Sequence, residues 1–370
     1  MFAYLYRLVL VPFIIGACAF TAPASPVQTP PQPPAAQQPA AQPQEVTIRF
    51  GQGPFISGGG LFIAMEKGYF RQVGITIDVK WFADGALVNA PLTNGEVDMG
   101  GVTLAPATFN GIAKGGPYKL ILDEGIEYPG HGYVGLNVSQ ELYNAGVRGL
   151  SELAMLRGKK IGVTAPGSIN HYVTARALIA VGLDPRRDVD WHFGVPQPDL
   201  VKLFGTKQVD AVNLAYQFSA AAEQQGFGPI IGTGADVEPY VQIAVIAARN
   251  DYVARNRDTV ERFTMAYLQG VREYNATIRS PDAHPDNLAV LAKYTTLDTP
   301  EKLKAIWPHW TWVSTDGAIN VQSVMAQQDF WADYYNSMVE RKVAETDLID
   351  QSILRSATER LQREQTFRGS

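Results

Sequence analysis

The sequence predicts an α/β fold in two lobes, each a mainly parallel sheet flanked by helices, and three observations carry that prediction. A strand–helix–strand rhythm occurs twice, once after Val46 and again after Lys160. The two copies share a short internal echo, TNGEVDMGGV at Thr93–Val102 and FGTKQVDAVNL at Phe204–Leu214. Two further apolar strands bracket the second copy, where crossovers between lobes would run.

Ahead of the folded part stands MFAYLYRLVLVPFIIGACAF. One arginine precedes an apolar run from Leu8 to Phe20, too short to span a bilayer unaided. That is the form of an export signal, expected over residues 1–18. The sole cysteine, Cys18, follows Ile15-Gly16-Ala17, which resembles a bacterial lipoprotein cleavage box and makes Cys18 the expected lipid attachment point. Cleavage after the small-x-small site Ala22-Pro23-Ala24 is the alternative. Either way the mature chain has neither an internal disulfide nor a thiol nucleophile. Residues 19–45, rich in Pro, Ala and Gln, read as a semi-extended linker.

From Val46 the elements follow one another closely. VTIRFG is a strand, Leu61–Lys67 a short helix stopped by Gly68, and Ile75–Trp81 a strand with Ile75, Ile77, Val79 and Trp81 on one face. Asp98–Val102 is a further short strand. In the second copy Lys160–Thr164 and Val189–Phe193 are strands around a helix at Asn170–Val181. Tyr133–Ser139 and Tyr240–Ala248 are the bracketing strands. NRDTVERFTMAYLQGVREYN places Val260, Phe263, Tyr267, Val271 and Tyr274 at helical spacing. The tail from Val321 to Gln362 reads as helical and is expected to pack on the first lobe. Lobe I is thus expected at 46–139 with 240–365, and lobe II at 140–239.

Several function classes are excluded or disfavoured. The formal charge of -5 is unclustered and no basic stripe appears, so no nucleic-acid partner is expected. The five histidines show no metal-ligand spacing, and neither a G-x-S-x-G nor a Walker loop is present. No cofactor, metal or catalytic residue is expected.

AMEKGYF (Ala64–Phe70) with VGITIDV (Val73–Val79), then NGEVDMG, LRGKKIGV, VGLDP and KQVDAV, occur in an order that resembles nitrate/sulfonate/taurine-type (NMT1-like) solute-binding proteins. The resemblance covers about Val46 to Asn275 and implies the type II periplasmic-binding-protein fold. It also implies an extracytoplasmic receptor of an ABC importer. Such a receptor closes on a small organic acid, sulfonate or aromatic carboxylate and delivers it to a permease with its ATPase. A lipid at Cys18 would hold it at the membrane, in the periplasm or on the cell surface. The alternatives are a ligand-sensing module for a membrane signalling partner and an enzyme of the same fold, such as a pyrimidine-precursor synthase.

In this reading the run Ser57, Gly58, Gly59 and Gly60 is a loop whose free N–H groups point into the cleft before a helix. Ser168 is an N-cap candidate before the second helix, followed by Asn170 and His171. Thr103 follows one strand of the echo, and Tyr216 with Gln217 follow the other. These ten residues are the expected ligand contacts. Trp81 is expected in the core or on a cleft wall, and Glu127 is expected as a solvated loop charge near the hinge. None of these loops carries an arginine placed to clamp a carboxylate.

Overall fold

In the computed structural model the described residues are Pro12, 45–335 and 338–368, with side chains described as far as Arg363. The expected signal segment, Cys18 and the linker therefore lie outside the described residues, apart from Pro12 and Glu45.

Ten strands form the described sheets: β1 (Val46–Gln52), β2 (Ile75–Trp81), β3 (Met99–Thr103), β4 (Tyr118–Ile126), β5 (Val134–Val138), β6 (Lys160–Gly162), β7 (Asp190–His192), β8 (Ala211–Ala215), β9 (Ile230–Thr233) and β10 (Gln242–Arg249). They assemble as two five-stranded sheets, ordered β2-β1-β3-β10-β4 and β7-β6-β8-β5-β9. In the first, β1 runs parallel to β2 and β3, with Val46 opposite Ile75 and Phe50 opposite Met99. In the second, β6 runs parallel to β7 and β8. One strand in each sheet, β10 or β5, runs against its neighbours.

The helices that matter for the site are α1 (Gly59–Glu66), α2 (Pro106–Ala113), α3 (Ile169–Ala180), α4 (Tyr216–Gln224), α5 (Arg257–Arg279) and α6 (Ser352–Arg368). They match the predicted periodicity closely. Val260, Phe263, Tyr267, Val271 and Tyr274 of α5 are all buried in one core with Phe50, Leu61 and Phe62.

Two expectations change. Tyr133–Ser139 was expected to close the first lobe, but β5 pairs with β8 and β9 and belongs to the second sheet. The first crossover is therefore upstream, between Ile126 and Val134. The tail is not one continuous helix. Its last helix, α6, lies on α5, and Arg257 donates to the Ser352 carbonyl at 3.3 Å. The turn at Phe330–Tyr335 instead packs on the second half. Phe330 stands edge-on to Tyr172 of α3, and the Tyr335 hydroxyl donates to the Pro185 carbonyl at 3.2 Å. Aromatic burial directs it there, since Phe330, Trp331 and Tyr335 share one core with Ile169, Tyr172 and Val173.

The glycine run has a packing reason that the sequence did not show. A Cβ on Gly59 would fall on the Tyr274 ring, and one on Gly60 would lie 2.7 Å from Val271 Cγ2. Glycine here lets α1 cross α5 at close range. Replacing Gly59 by Val should overpack this crossing and cost about 1–3 kcal/mol. Melting of the Gly59→Val protein should be several degrees lower, while Gly149→Ala, whose nearest neighbour is Glu152 at 3.5 Å, melts like the native chain. Equal melting of all three would refute this account of the triplet.

Candidate functional site

The topology itself creates a gap. The first crossover leaves the C-terminal end of β4 and enters β5 at Val134, opposite Ala215, the last residue of β8. The return crossover leaves β9 after Thr233 and enters β10 at Gln242, opposite Ile126. Both connections thus join C-terminal strand ends, so those two edges face each other. Helices α1 and α2 start from one edge, α3 and α4 from the other. In open α/β sheets this is where ligands bind. Gly167, just before α3, lies against Pro106 of α2 and bridges the gap from one half to the other.

Glu127 fastens the two crossovers. Its N–H donates to the Val241 carbonyl at 2.9 Å, and its own carbonyl accepts from the Tyr240 N–H at 2.6 Å. Its carboxylate accepts from the N–H groups of Tyr133 (2.7 Å) and Val134 (3.1 Å). The side chain is fully buried, and burial pushes its carboxyl up to about 8. The expectation of a solvated loop charge is corrected: this acid is an internal staple.

On the first edge, Ser57 is buried at the start of α1, beside Gly125 and across it from Thr311. The N–H of Gly58 donates to Phe55 and that of Gly59 to Ile56, so these donors are not free for a ligand. Gly60 faces Val271. Thr103 ends β3 half-buried, its carbonyl accepting from the Thr108 hydroxyl at 2.8 Å. Trp81 is not in the core: it is 46% exposed at the end of β2, opposite Gln52 and beside Phe62 and Tyr294.

On the second edge, Ser168 caps α3, its Oγ accepting from the His171 N–H at 3.2 Å. Asn170 is buried and donates to Asn213 Oδ1 of β8 at 3.0 Å. His171 sits among the rings of Trp191, Phe193, Trp331 and Tyr335, at 4.5–5.1 Å. Its Nδ1 accepts from the Gly167 N–H at 3.0 Å, which places the proton on Nε2, and burial lowers its pKa to about 3. These three residues thus build the helix start. Tyr216 opens α4, its N–H donating to Tyr133 at 2.8 Å and its ring stacked on His309 at 3.6 Å. The Oε1 of Gln217 is buried without a partner.

Sequence reasoning missed the polar floor of the first edge. Glu124 is 1% exposed, and its carboxylate and the Gln52 carboxamide occupy the space over Gly101. Burial, first of all, pushes the Glu124 carboxyl up to about 8. Its neighbour Asp123 accepts from Gly125, Gln242 and Ser314, whereas Glu124 Oε1 and Gln52 Oε1 have no partner. The hydroxyl of Thr311 is likewise buried and unpartnered. A legible signal existed: LILDEGI puts two acids inside an apolar strand, where charge is costly. Thr311 and His309 carried none, because they arrive from the tail.

The NMT1-like family model matches residues 41–292. A candidate binding protein of Brucella abortus (strain 2308) is 24% identical over 242 residues, spanning 64% of this chain and 67% of its own. Among solved structures, the periplasmic aliphatic sulphonate binding protein SsuA from Escherichia coli superposes with a TM-score of 0.65 at 22% identity, over 82% of this chain and 92% of that one. The periplasmic nitrate-binding protein NrtA from Synechocystis PCC 6803 gives a TM-score of 0.65 at 15% identity, over 86% and 89%. The fold is therefore that of periplasmic binding proteins.

Glu124 also sets a pH dependence. Its folded pKa is raised from 4.5 to about 8, so the folded chain holds a proton that the unfolded chain has lost between those values. The contribution is complete below about pH 4.5 and is lost as pH rises through about 8. The stability of the native protein minus that of Glu124→Gln should fall between pH 5 and 8.5, by on the order of a few kcal/mol. Parallel denaturation curves over that range would contradict it.

Proposed function

The chain belongs to the NMT1-like family, and from that premise we propose that it is the extracytoplasmic solute-binding receptor of an ABC importer. It would take a small molecule between the facing sheet edges and deliver it to a permease driven by its ATPase. The observation that carries this reading is the pair of crossovers fastened at Glu127, which join two sheets only at the edges that flank the gap. Such a joint supports an open–closed equilibrium, and a ligand touching both edges biases it towards the closed form.

The N-terminal segment fits the same role. The apolar run Leu8–Phe20 would export the chain, and a lipid on Cys18 would tether it through the 19–45 linker to the outer face of the membrane. Among the described residues no helix is long and apolar enough to cross a membrane. No catalytic role is proposed.

Ser57, Thr103, Tyr216 and Gln217 are the proposed contacts retained from the sequence, joined by Gln52, Glu124 and Thr311. The glycines, Ser168, Asn170 and His171 act by shaping the two helix starts. The named relatives bind an aliphatic sulphonate and nitrate, so those anions and organic acids belong in any first screen.

A thermal-shift screen of the purified protein over a nutrient library should reveal one compound class that raises its melting temperature. A ligand at one hundred times its Kd adds about 2.7 kcal/mol. With that compound small-angle scattering should show compaction, and Tyr216→Ala should weaken binding about tenfold or more by removing an aromatic contact. An unchanged scattering profile at saturation would defeat the hinge. Deleting the gene should abolish growth on that nutrient at low concentration.

A further inference from the structure

Resting on the receptor reading of the cleft, we infer that its ligand is a small organic cation whose ammonium, amidinium or guanidinium N–H groups are received by Glu124 and Gln52 on one edge and by Gln217 on the other.

The inference follows from which groups remain unmatched. The segments that leave the two edges, residues 52–58, 82–85, 103–106, 127–133, 163–168, 193–197, 215–217 and 233–240, contain no lysine or arginine. An anion arriving there meets no cation to neutralise it. Several backbone donors that could substitute are already engaged. At α1 the Gly58 and Gly59 N–H groups donate to Phe55 and Ile56. At α3 the Gly167 N–H donates to His171 Nδ1, and the His171 N–H to Ser168 Oγ. At α4 the Tyr216 N–H donates to Tyr133. Part of the anion-binding capacity of three helix starts is thus spent within the protein.

The Thr311 hydroxyl and His171 Nε2 are also buried without partners, but the carboxyl and carboxamide acceptors at the edges divide sharply. Asp84 accepts from Ala86, Glu127 from Tyr133 and Val134, Asp236 from Thr233, and Glu238 pairs with Arg176. Glu124 Oε1, Gln52 Oε1 and Gln217 Oε1 remain buried without a partner. The two carboxamide oxygens only accept, Glu124 does so once it is ionised, and leaving such groups desolvated and unmet is unfavourable. A sulfonate, nitrate or carboxylate would add further acceptors to that set. A cation with several N–H groups supplies what is missing, and Glu124, held protonated at neutral pH by burial in the free protein, supplies the countercharge by giving up its proton as the cation arrives. The contrast with the sulphonate- and nitrate-binding relatives is then a difference of site chemistry on a shared fold.

The test measures binding of matched probes to the full chain: benzamidinium, guanidinium and n-butylammonium against benzenesulfonate, butanesulfonate and nitrate. At least one cation should raise the melting temperature and compact the protein in scattering, with every anion binding at least tenfold more weakly. Glu124→Gln, checked by circular dichroism for an intact fold, should weaken the cation tenfold or more. Gln217→Arg, on the opposite edge, should abolish cation binding while leaving the fold unchanged, which guards against a misfolded first variant. Tighter binding of an anion than of every cation would overturn the inference. So would no cation binding at 10 mM, or cation binding equal in the native chain and Glu124→Gln. Compaction by an anion would defeat only this inference and leave the receptor standing. Failure of every compound in the nutrient library to compact the protein is the separate result that tells against the receptor itself.

Discussion

The buried carboxylate of Glu127 is the constraint on which the architecture depends. Two polypeptide crossings run side by side between the sheets, and this one residue ties them by main chain to Tyr240 and Val241 and by side chain to Tyr133 and Val134. An acid in such a place is tolerated because backbone N–H groups meet its oxygens. The same fastening fixes which strand ends oppose each other. Everything called a site here, from Ser57 and Thr103 to Tyr216 and Gln217, lies on edges that these crossings bring face to face.

Around that joint, packing does two separate jobs. The core of the first half joins β1, β4 and β10 to α1 and α5, and it needs glycine at the crossing of the two helices. A second core is shared between halves: Val102 and Phe109 from one, Ile169 and Tyr172 from the other, and Phe330, Trp331 and Tyr335 from the tail. The tail therefore acts as a third contact between the halves, beside the two crossovers. Arg186 adds a polar link at its end, donating to the Tyr334 carbonyl at 3.1 Å. The closure proposed about the crossovers would have to accommodate this aromatic seam, which is non-directional and so permits sliding more readily than a hydrogen-bonded ladder would.

Much of the fold was legible because it rests on local pattern. Alternation at Ile75–Trp81, three-and-four spacing along α5 and the Val-Asp echo each report a neighbourhood of a few residues, and each element appeared where expected. The site was legible only in outline. Thr103, expected in a loop, ends β3, and Tyr216 with Gln217 open α4. Their individual roles were not readable. Ser168 and Asn170 turned out to be occupied by their own half, and the glycine triplet by α5.

By itself, then, the sequence determined the alternation of elements, the doubling of the βαβ unit and the location of the loops at strand ends, because periodicity and turn chemistry act between residues near in the chain. Tertiary structure alone decided that β5 crosses into the second sheet, that Tyr274 and Val271 fill the space beside Gly59 and Gly60, and that Glu124 is left with an unmatched oxygen. Those facts depend on partners far apart along the polypeptide. Whether a buried polar atom is satisfied is a property of its surroundings and not of its own residue type.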